Sequence, residues 1–166
     1  MLIRIILLIG AFLAGLLLLA GQWGLLSGKT PTNLGITDGK LKAPSPTENS
    51  VSSQASLYPN HPMRAYAEIA PITYTGEPAA AWAKLERAVG ALPRTSIIAN
   101  KKLDSGQRYL YAQCTTLLLR FTDDVEFVMD ESNHVIHVRS ASRLGRKDFG
   151  TNRSRVEIVR AAFNAS

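Results

Sequence analysis

Basic side chains are concentrated near the C-terminal end of this chain of 166 residues. The stretch from Arg139 to Arg155 reads RSASRLGRKDFGTNRSR and holds six basic residues, one carboxylate (Asp148) and several hydroxyl or amide groups. Residues 139–160 carry five of the six net positive charges of the chain. Guanidinium groups are costly to desolvate, so these must be paired with acids inside the protein or must face an anionic partner.

Two interpretations of this basic stretch are open. In the first, its guanidinium groups form surface ion pairs with a neighbouring hairpin, each contributing roughly 0.2–1 kcal/mol. In the second, the loop 142–150 closes over them, and Arg139, Arg143 and Arg153 converge on an anion as bidentate donors. The backbone N–H groups near Asn152, at the start of the last helix, then complete an anion site. The candidate ligand-binding or structural cluster comprises Asp123, Asp124, Glu126, Arg139, Ser140, Ser142, Arg143, Asp148, Asn152 and Arg153.

An enzyme is the alternative to a binding module. A hydrolase-like protein would draw its acid–base pair from four carboxylates of the cluster, Asp123, Asp124, Glu126 and Asp148. The sequence contains no nucleophile elbow, Gly-rich phosphate loop or haem-attachment motif. Its single cysteine, Cys114, excludes a disulfide within this chain and a cysteine-rich metal site. We therefore predict no catalytic residues, no metal and no cofactor.

The charge distribution also argues against a nucleic-acid partner. The positive charge is local, and no basic sheet studded with aromatic residues is recognisable in the sequence. We predict no binding to nucleic acid.

Hydrophobic periodicity predicts the elements that position the cluster. An apolar stripe at helical spacing from Trp82 to Leu92 predicts a helix after Pro78, and a second helix is predicted over residues 151–163. Extended segments are predicted over residues 68–74, 95–102, 109–121, 125–130 and 134–141. This order predicts an α+β fold in which an antiparallel sheet of about five strands is packed by two helices on one face.

The register of the last two strands can be predicted as well. A two-residue turn at Ser132-Asn133 places Glu126 opposite Arg139 and brings the apolar residues of both strands to one side. A three-residue bend over 121–123 would set Arg120 opposite Asp124. The second face of the sheet is then expected to carry alternating charges from Arg120, Asp124, Glu126, His137 and Arg139.

The N-terminal segment predicts an attachment to the membrane. No ionisable residue occurs from Ile5 to Leu26, and about 20 apolar residues suffice to cross a bilayer as a helix. Residues 1–26 are therefore predicted to be a transmembrane anchor or uncleaved signal. Gln22 stands where a lipoprotein signal has its cysteine, so no lipid can be attached there. A leader of four residues rarely translocates, so the domain is expected on the outer, periplasmic side, although three lysines after the segment favour the cytoplasm.

Residues 27–62 differ in composition from both of their neighbours. They are rich in Ser, Thr, Pro, Gly and Asn, which is typical of a flexible linker, or of a segment lying extended on a domain surface. Residues 63–166 are predicted to form the α+β domain.

Several short motifs resemble one known family. They are Val51-Ser52-Ser53-Gln54, Leu92-Pro93-Arg94-Thr95, Asp123-Asp124-Val125-Glu126-Phe127, Val138-Arg139-Ser140-Ala141-Ser142-Arg143, Asp148-Phe149-Gly150 and Asn152-Arg153-x-Arg155-Val156. Together they resemble the signature of the Domain of Unknown Function 1499 family over residues 34–163. Members are found in bacterial envelopes, as lipoproteins or behind a membrane helix, and in chloroplasts.

The resemblance carries two implications. It implies that residues 34–56 belong to the domain, so that the linker packs on the domain from about residue 34. Members usually have a Cys-Pro-x-x-Pro-Asn-Cys segment before the first motif, and here Pro44 and Ser50 stand at the two cysteine positions. A disulfide or thiol role of that segment therefore cannot operate in this chain.

These observations lead to one expected function. We expect a membrane-anchored cell-envelope domain of unknown activity that acts as a non-catalytic binding or structural module. Its partners would be the membrane, through the N-terminal helix, and an anionic small molecule, a lipid head group or another envelope protein at the Arg- and Asp-rich cluster.

Overall fold

The computed structural model describes residues 1–165. These residues contain four α-helices, a short 3₁₀-helix and eight strands. The elements are α1 (Leu2–Gln22), β1 (Ile36–Thr37), β2 (Lys40–Leu41), β3 (Ser50–Ser52), the 3₁₀-helix (Ala55–Leu57), α2 (Arg64–Ala67), β4 (Ile72–Thr73), α3 (Pro78–Gly90), β5 (Thr95–Lys102), β6 (Arg108–Thr115), β7 (Thr122–Asp130), β8 (Val135–Ser142) and α4 (Thr151–Ala165).

One six-stranded sheet organises the fold. Its strands follow the order β3-β8-β7-β6-β5, and β4 pairs with the other half of β8, beside β3. All of these strand pairs are antiparallel, and β1 and β2 form a separate two-stranded ribbon. The predicted α+β class is confirmed. The sheet has six strands because Ser50–Ser52 adds one at the edge, and the extended segment predicted over 68–74 contributes only Ile72–Thr73.

The main core lies between the sheet and two helices. The apolar stripe of α3 is buried from Trp82 to Leu92, as the helical spacing predicts. On α4, Val156, Val159 and Phe163 face the same core. The helix face of the sheet is the face that carries Val125, Phe127, Met129, Ile136 and Val138.

The β7–β8 hairpin has the predicted register, with Glu126 opposite Arg139. The details of its turn differ from the prediction. His134, and not an asparagine, adopts the left-handed conformation, with a φ of 52°. The carboxylate of Asp130 stabilises this turn by accepting hydrogen bonds from Ser132 and Asn133.

The predicted strand 109–121 is too long. Strand β6 ends at Thr115, which pairs with Thr122, and residues 116–121 form a loop. Thr116 closes this loop because its N–H donates to the carbonyl of Phe121 and its hydroxyl accepts from the Phe121 N–H. Arg120 lies in the loop with a φ of 57°, and Asp124 stands opposite Gln113. The prediction that Arg120 faces Asp124 was therefore wrong.

Residues 28–43, here called the covering segment, lie on the second face of the sheet. Leu41 is fully buried there against Tyr109, Tyr111 and Val128. The hydroxyl of Tyr58 donates to the Leu41 carbonyl and holds the segment from the outside. Because of this cover, the charged side chains of the second face are buried rather than solvated.

Helix α1 is long and apolar enough to cross a membrane, and it is the one such helix within residues 1–165. Its most apolar part is not buried by the rest of the protein. Its end contacts the loop 116–121, where Gln22 donates to the Leu118 carbonyl. A Cβ at Gly21 would lie 2.6 Å from the carbonyl oxygen of Leu119, so only glycine permits this close approach.

Candidate functional site

The second-face cluster, defined as Asp124, Glu126, Arg139 and Arg143, contains two ion pairs of different quality. Asp124 and Arg143 form the stronger pair, since Nε and Nη2 of Arg143 lie 2.9 and 2.7 Å from the two carboxylate oxygens. The hydroxyl of Tyr111 donates to the same carboxylate at 2.6 Å. Both charged groups are almost completely buried, and this geometry satisfies them.

Glu126 and Arg139 form a looser pair. Nη1 of Arg139 lies 3.6 Å from Oε2 of Glu126, and this buried oxygen has no hydrogen-bond partner among the described residues. The other oxygen accepts from the Gly35 N–H at 2.6 Å and from the Tyr109 hydroxyl at 2.8 Å. Burial raises the pKa of Glu126 above its ordinary value, against the lowering effect of these two donors and of Arg139.

A second polar cluster lies on the helix face, near the start of α4. Arg155 donates to the Asp123 carboxylate at 2.5 Å, and it also donates to Ser140 and Asn152. Asn152 is fully buried, accepts from the Ser140 hydroxyl and donates to the Ser142 hydroxyl. These contacts hold α4 against β7 and β8, so this cluster stabilises the fold.

Asp148 caps α4. Its carboxylate accepts from the backbone N–H groups of Gly150 and Asn152, from the Asn152 side chain and from the Tyr66 hydroxyl. Burial alone would raise the pKa of Asp148, but these donors together hold it below its ordinary value. The N–H groups that were predicted to bind an anion near Asn152 are therefore already occupied by a carboxylate of the same chain.

The Asp148→Ala variant is expected to lose about 0.5–2 kcal/mol of the free energy of unfolding, because it removes a helix cap. The ionised carboxylate stabilises the fold above its unfolded pKa of about 3.9, and this contribution is lost as the pH falls through the lower folded pKa. Denaturant unfolding at neutral and acidic pH measures both effects. Asp104→Ala, at an exposed turn, is the control. A loss for Asp148→Ala no larger than for this control would contradict the capping role.

The three guanidinium groups predicted to converge on an anion do not do so. Arg139 and Arg143 lie on the second face, where Glu126 and Asp124 neutralise them. Arg153 lies on the outer side of α4 and donates to the backbone carbonyls of residues 66 and 68. The other interpretation also needs correction, because the predicted ion pair of Glu126 and Arg139 forms under the covering segment and not at the surface.

A large concave surface lies elsewhere, at the end of the sheet that α1 contacts. We call it the Phe149 groove. It consists of two adjoining cavities of about 440 and 390 Å³, which share Phe149, Thr116 and Thr151 in their walls. The ion pair of Asp123 and Arg155 lies between them, since Asp123 lines one cavity and Arg155 the other.

Exposed apolar side chains surround this groove. Phe149 is 95% exposed and has a φ of 53°, a backbone conformation that is uncommon for a bulky residue. Leu117 and Leu118 are each 64% exposed at the tip of the loop 116–121, and Leu144 and Ile158 are exposed beside them. We call Leu117, Leu118, Leu144, Phe149 and Ile158 the apolar rim.

Comparison with known proteins places this fold in a family. The sequence model described as "Protein of unknown function (DUF1499)" matches residues 40–163. The chain belongs to the DUF1499 family. No curated protein and no solved structure matches the chain. The DUF1499 match begins inside the covering segment and ends within α4, so it includes the six-stranded sheet and both polar clusters, and α1 lies outside it.

The four carboxylates considered for acid–base chemistry are all engaged within the DUF1499 fold. Asp123 and Asp124 accept charged hydrogen bonds from arginines, and Asp148 caps a helix. Glu126 has a raised pKa, which suits a general acid, but it is fully buried under the covering segment. Each of the four carboxylates therefore already has hydrogen-bond or ion-pair partners within the described residues.

Sequence analysis did not identify several residues that shape the Phe149 groove. Leu117 and Leu118 were assigned to a strand, because an apolar run does not distinguish a buried strand from an exposed loop. Arg155 was recognised in a motif, but its partner Asp123 is 32 residues away and on another element. One feature of the sequence could have indicated that Phe149 is exposed. It stands beside Gly150 in a loop and has no apolar neighbour at helical or strand spacing.

Proposed function

We propose that the protein is a membrane-anchored, non-catalytic binding module of the cell envelope, held with its groove end against the bilayer. The observation that carries this proposal is the contact between the end of α1 and the loop 116–121. If α1 crosses the membrane, this contact holds the loop where the helix leaves the bilayer. Leu117 and Leu118 then lie at the interface between lipid and water.

The apolar rim supports the same orientation. Gly28, six residues beyond α1, packs against Arg143 and the side chain of Leu144, so Leu144 also lies near the exit of the helix. Leu144 and Phe149 line one cavity of the groove, while Leu117, Phe149 and Ile158 line the other. The rim is therefore continuous from the end of α1 to α4. Exposed apolar patches of this kind mark surfaces that bind a partner or a membrane.

Basic residues accompany the rim. Arg120 lies in the loop of Leu117 and Leu118, and Arg146 lies in the loop between β8 and α4, three residues before Phe149. Neither of them contacts a carboxylate among residues 1–165. Apolar side chains next to cationic groups are the combination that attaches protein surfaces to membranes with anionic lipids.

The polar clusters have a structural role in this proposal. Their guanidinium groups are neutralised by Asp123, Asp124 and Glu126, so an incoming anion would have to displace a buried carboxylate. The two polar clusters hold the covering segment and α4 on the sheet. In this proposal the domain lies on the outer side of the membrane.

The anchor is tested with the full chain produced in a bacterium. We expect it to remain in the membrane pellet after extraction with alkaline carbonate, and a Leu13→Arg and Leu16→Arg double variant to be released. Each arginine near the helix centre costs roughly 2.5–3.5 kcal/mol of insertion free energy. Release of the unmodified chain by carbonate would contradict the anchor.

The side of the membrane is tested in the same cells. Cys114 is buried, so a cysteine introduced at the exposed Ser105 is the one thiol that a reagent can reach in the folded chain. We expect a membrane-impermeant maleimide to label the Ser105→Cys variant once the outer membrane is opened. Labelling only after the inner membrane is lysed would place the domain on the cytoplasmic side.

A further inference from the structure

We infer that the Phe149 groove binds an acyl chain of an acidic membrane lipid, with the lipid head group at Arg94. This inference rests on the proposed function, because it requires the groove to open at the bilayer. It deepens that proposal by assigning a ligand class to a cavity and a head-group contact to one arginine.

The size and lining of the larger cavity fit an acyl chain. Its volume of about 440 Å³ lies within the range of small-molecule sites, which are mostly apolar with a few polar groups that orient the ligand. Leu92, Pro93, Leu117, Phe149 and Ile158 provide the apolar walls. A chain bound among them would cover Leu117, Phe149 and Ile158, which are otherwise exposed to water, and this burial is favourable at roughly 25 cal/mol per Å².

The charges of the cavity favour an acidic head group. Arg155 lies in the wall but is neutralised by Asp123. Arg94 also lines the cavity and is exposed, and its Nε donates to the Thr115 carbonyl at 3.1 Å. Its two terminal nitrogens have no hydrogen-bond partner among the described residues, so they can donate in parallel to a phosphate or carboxylate.

The position of the groove gives a lipid a direct route into it. Leu117 belongs both to the apolar rim and to the cavity wall, and its neighbour Leu118 contacts the end of α1 through the backbone. An acyl chain beside α1 can therefore reach the cavity along apolar surface without crossing water. A free anion such as inorganic phosphate would gain nothing from the apolar walls, so we assign the site to a lipid.

The test uses the full chain in phosphatidylcholine nanodiscs that contain phosphatidylglycerol with a photoreactive group near the end of one acyl chain. Irradiation should crosslink this lipid to α1 and to the segment Phe149–Ile158. Ser154 is exposed on α4 and lines the cavity, so Ser154→Trp should fill it and lower the crosslinking of that segment at least about tenfold. Ala161→Trp, about two turns further along the same helix face and outside the cavity, should leave it unchanged.

The outcomes separate this inference from the proposed function. Crosslinks on α1 without crosslinks on the segment 149–158, or equal crosslinking in Ser154→Trp, would overturn the lipid site and leave the anchor intact. Absence of crosslinks on α1 would overturn the anchor itself.

Arg94→Gln should reduce the crosslinking yield with phosphatidylglycerol to the yield of a photoreactive phosphatidylcholine. Equal yields of the two lipids in the unmodified chain would overturn the role of Arg94. Unchanged melting temperatures of the variants confirm that they fold.

Discussion

Replacing Asp124 with alanine is expected to lower the free energy of unfolding by about 3–5 kcal/mol. The substitution leaves the Arg143 guanidinium buried without the carboxylate that accepts two of its N–H groups. It also removes the acceptor of the Tyr111 hydroxyl. Denaturant unfolding of the full chain in detergent, monitored by the fluorescence of Trp82 in the core, measures the loss.

A double variant separates the buried charge from the packing around it. Asp124→Leu combined with Arg143→Met replaces the ion pair by apolar side chains of similar volume, which in other buried pairs is neutral or stabilising by about 1–4 kcal/mol. We expect the double variant to recover most of the stability lost in Asp124→Ala. A double variant as unstable as the sum of its single changes would show that Asp124 and Arg143 are not energetically coupled.

The Arg139→Met variant is expected to become less stable as the pH rises, with a loss approaching about 3–5 kcal/mol once Glu126 is ionised in the fold. Burial already raises the pKa of Glu126, and removal of the Arg139 charge raises it further. The protonated carboxyl is fully stabilising below its unfolded pKa of about 4.3, and this contribution is lost as the pH rises through the folded pKa. Denaturant unfolding curves, recorded from below the unfolded pKa of Glu126 to above its folded pKa, measure how the free energy of unfolding changes with pH.

Glu126→Gln in the Arg139→Met background is the matched control for this slope. A glutamine keeps the size and hydrogen-bonding capacity of the side chain but cannot ionise, so the double variant should lose the pH dependence. The native pair shows why the effect is large, since Oε2 of Glu126 already has no hydrogen-bond partner within the described chain. If the free energy of unfolding of Arg139→Met and of the unmodified protein changed with pH in parallel, the role given to Glu126 and Arg139 would be contradicted.

The hairpin shows what a local pattern can predict. The alternation of Val125, Phe127 and Met129 against Ile136 and Val138 permits only a register that brings both apolar sets to one side. That register placed Glu126 opposite Arg139, and the structure confirms it. The helices α3 and α4 were predictable for the same reason, because helical spacing of apolar residues follows from the face that must be buried.

The candidate site was less predictable because its environment comes from distant parts of the chain. Whether Glu126 is solvated or buried depends on Gly35, which lies 91 residues earlier. The composition of residues 27–62 is that of a linker, and nothing local shows that Leu41 is buried against two tyrosines of β6. The exposed leucines of the loop 116–121 were misassigned because strand patterns do not indicate where a strand must turn.

The covering segment also limits how far the domain can travel. Its first contact with the sheet is at Gly28, whose carbonyl accepts from Arg143, and α1 ends at Gln22. Five residues lie between these points, and the six residue steps from Gln22 to Gly28 reach at most about 22 Å when fully extended. With α1 embedded as proposed, this short connection keeps the domain close to the membrane surface. If the domain has the proposed binding role, its ligand has to lie in the bilayer or come to the membrane surface.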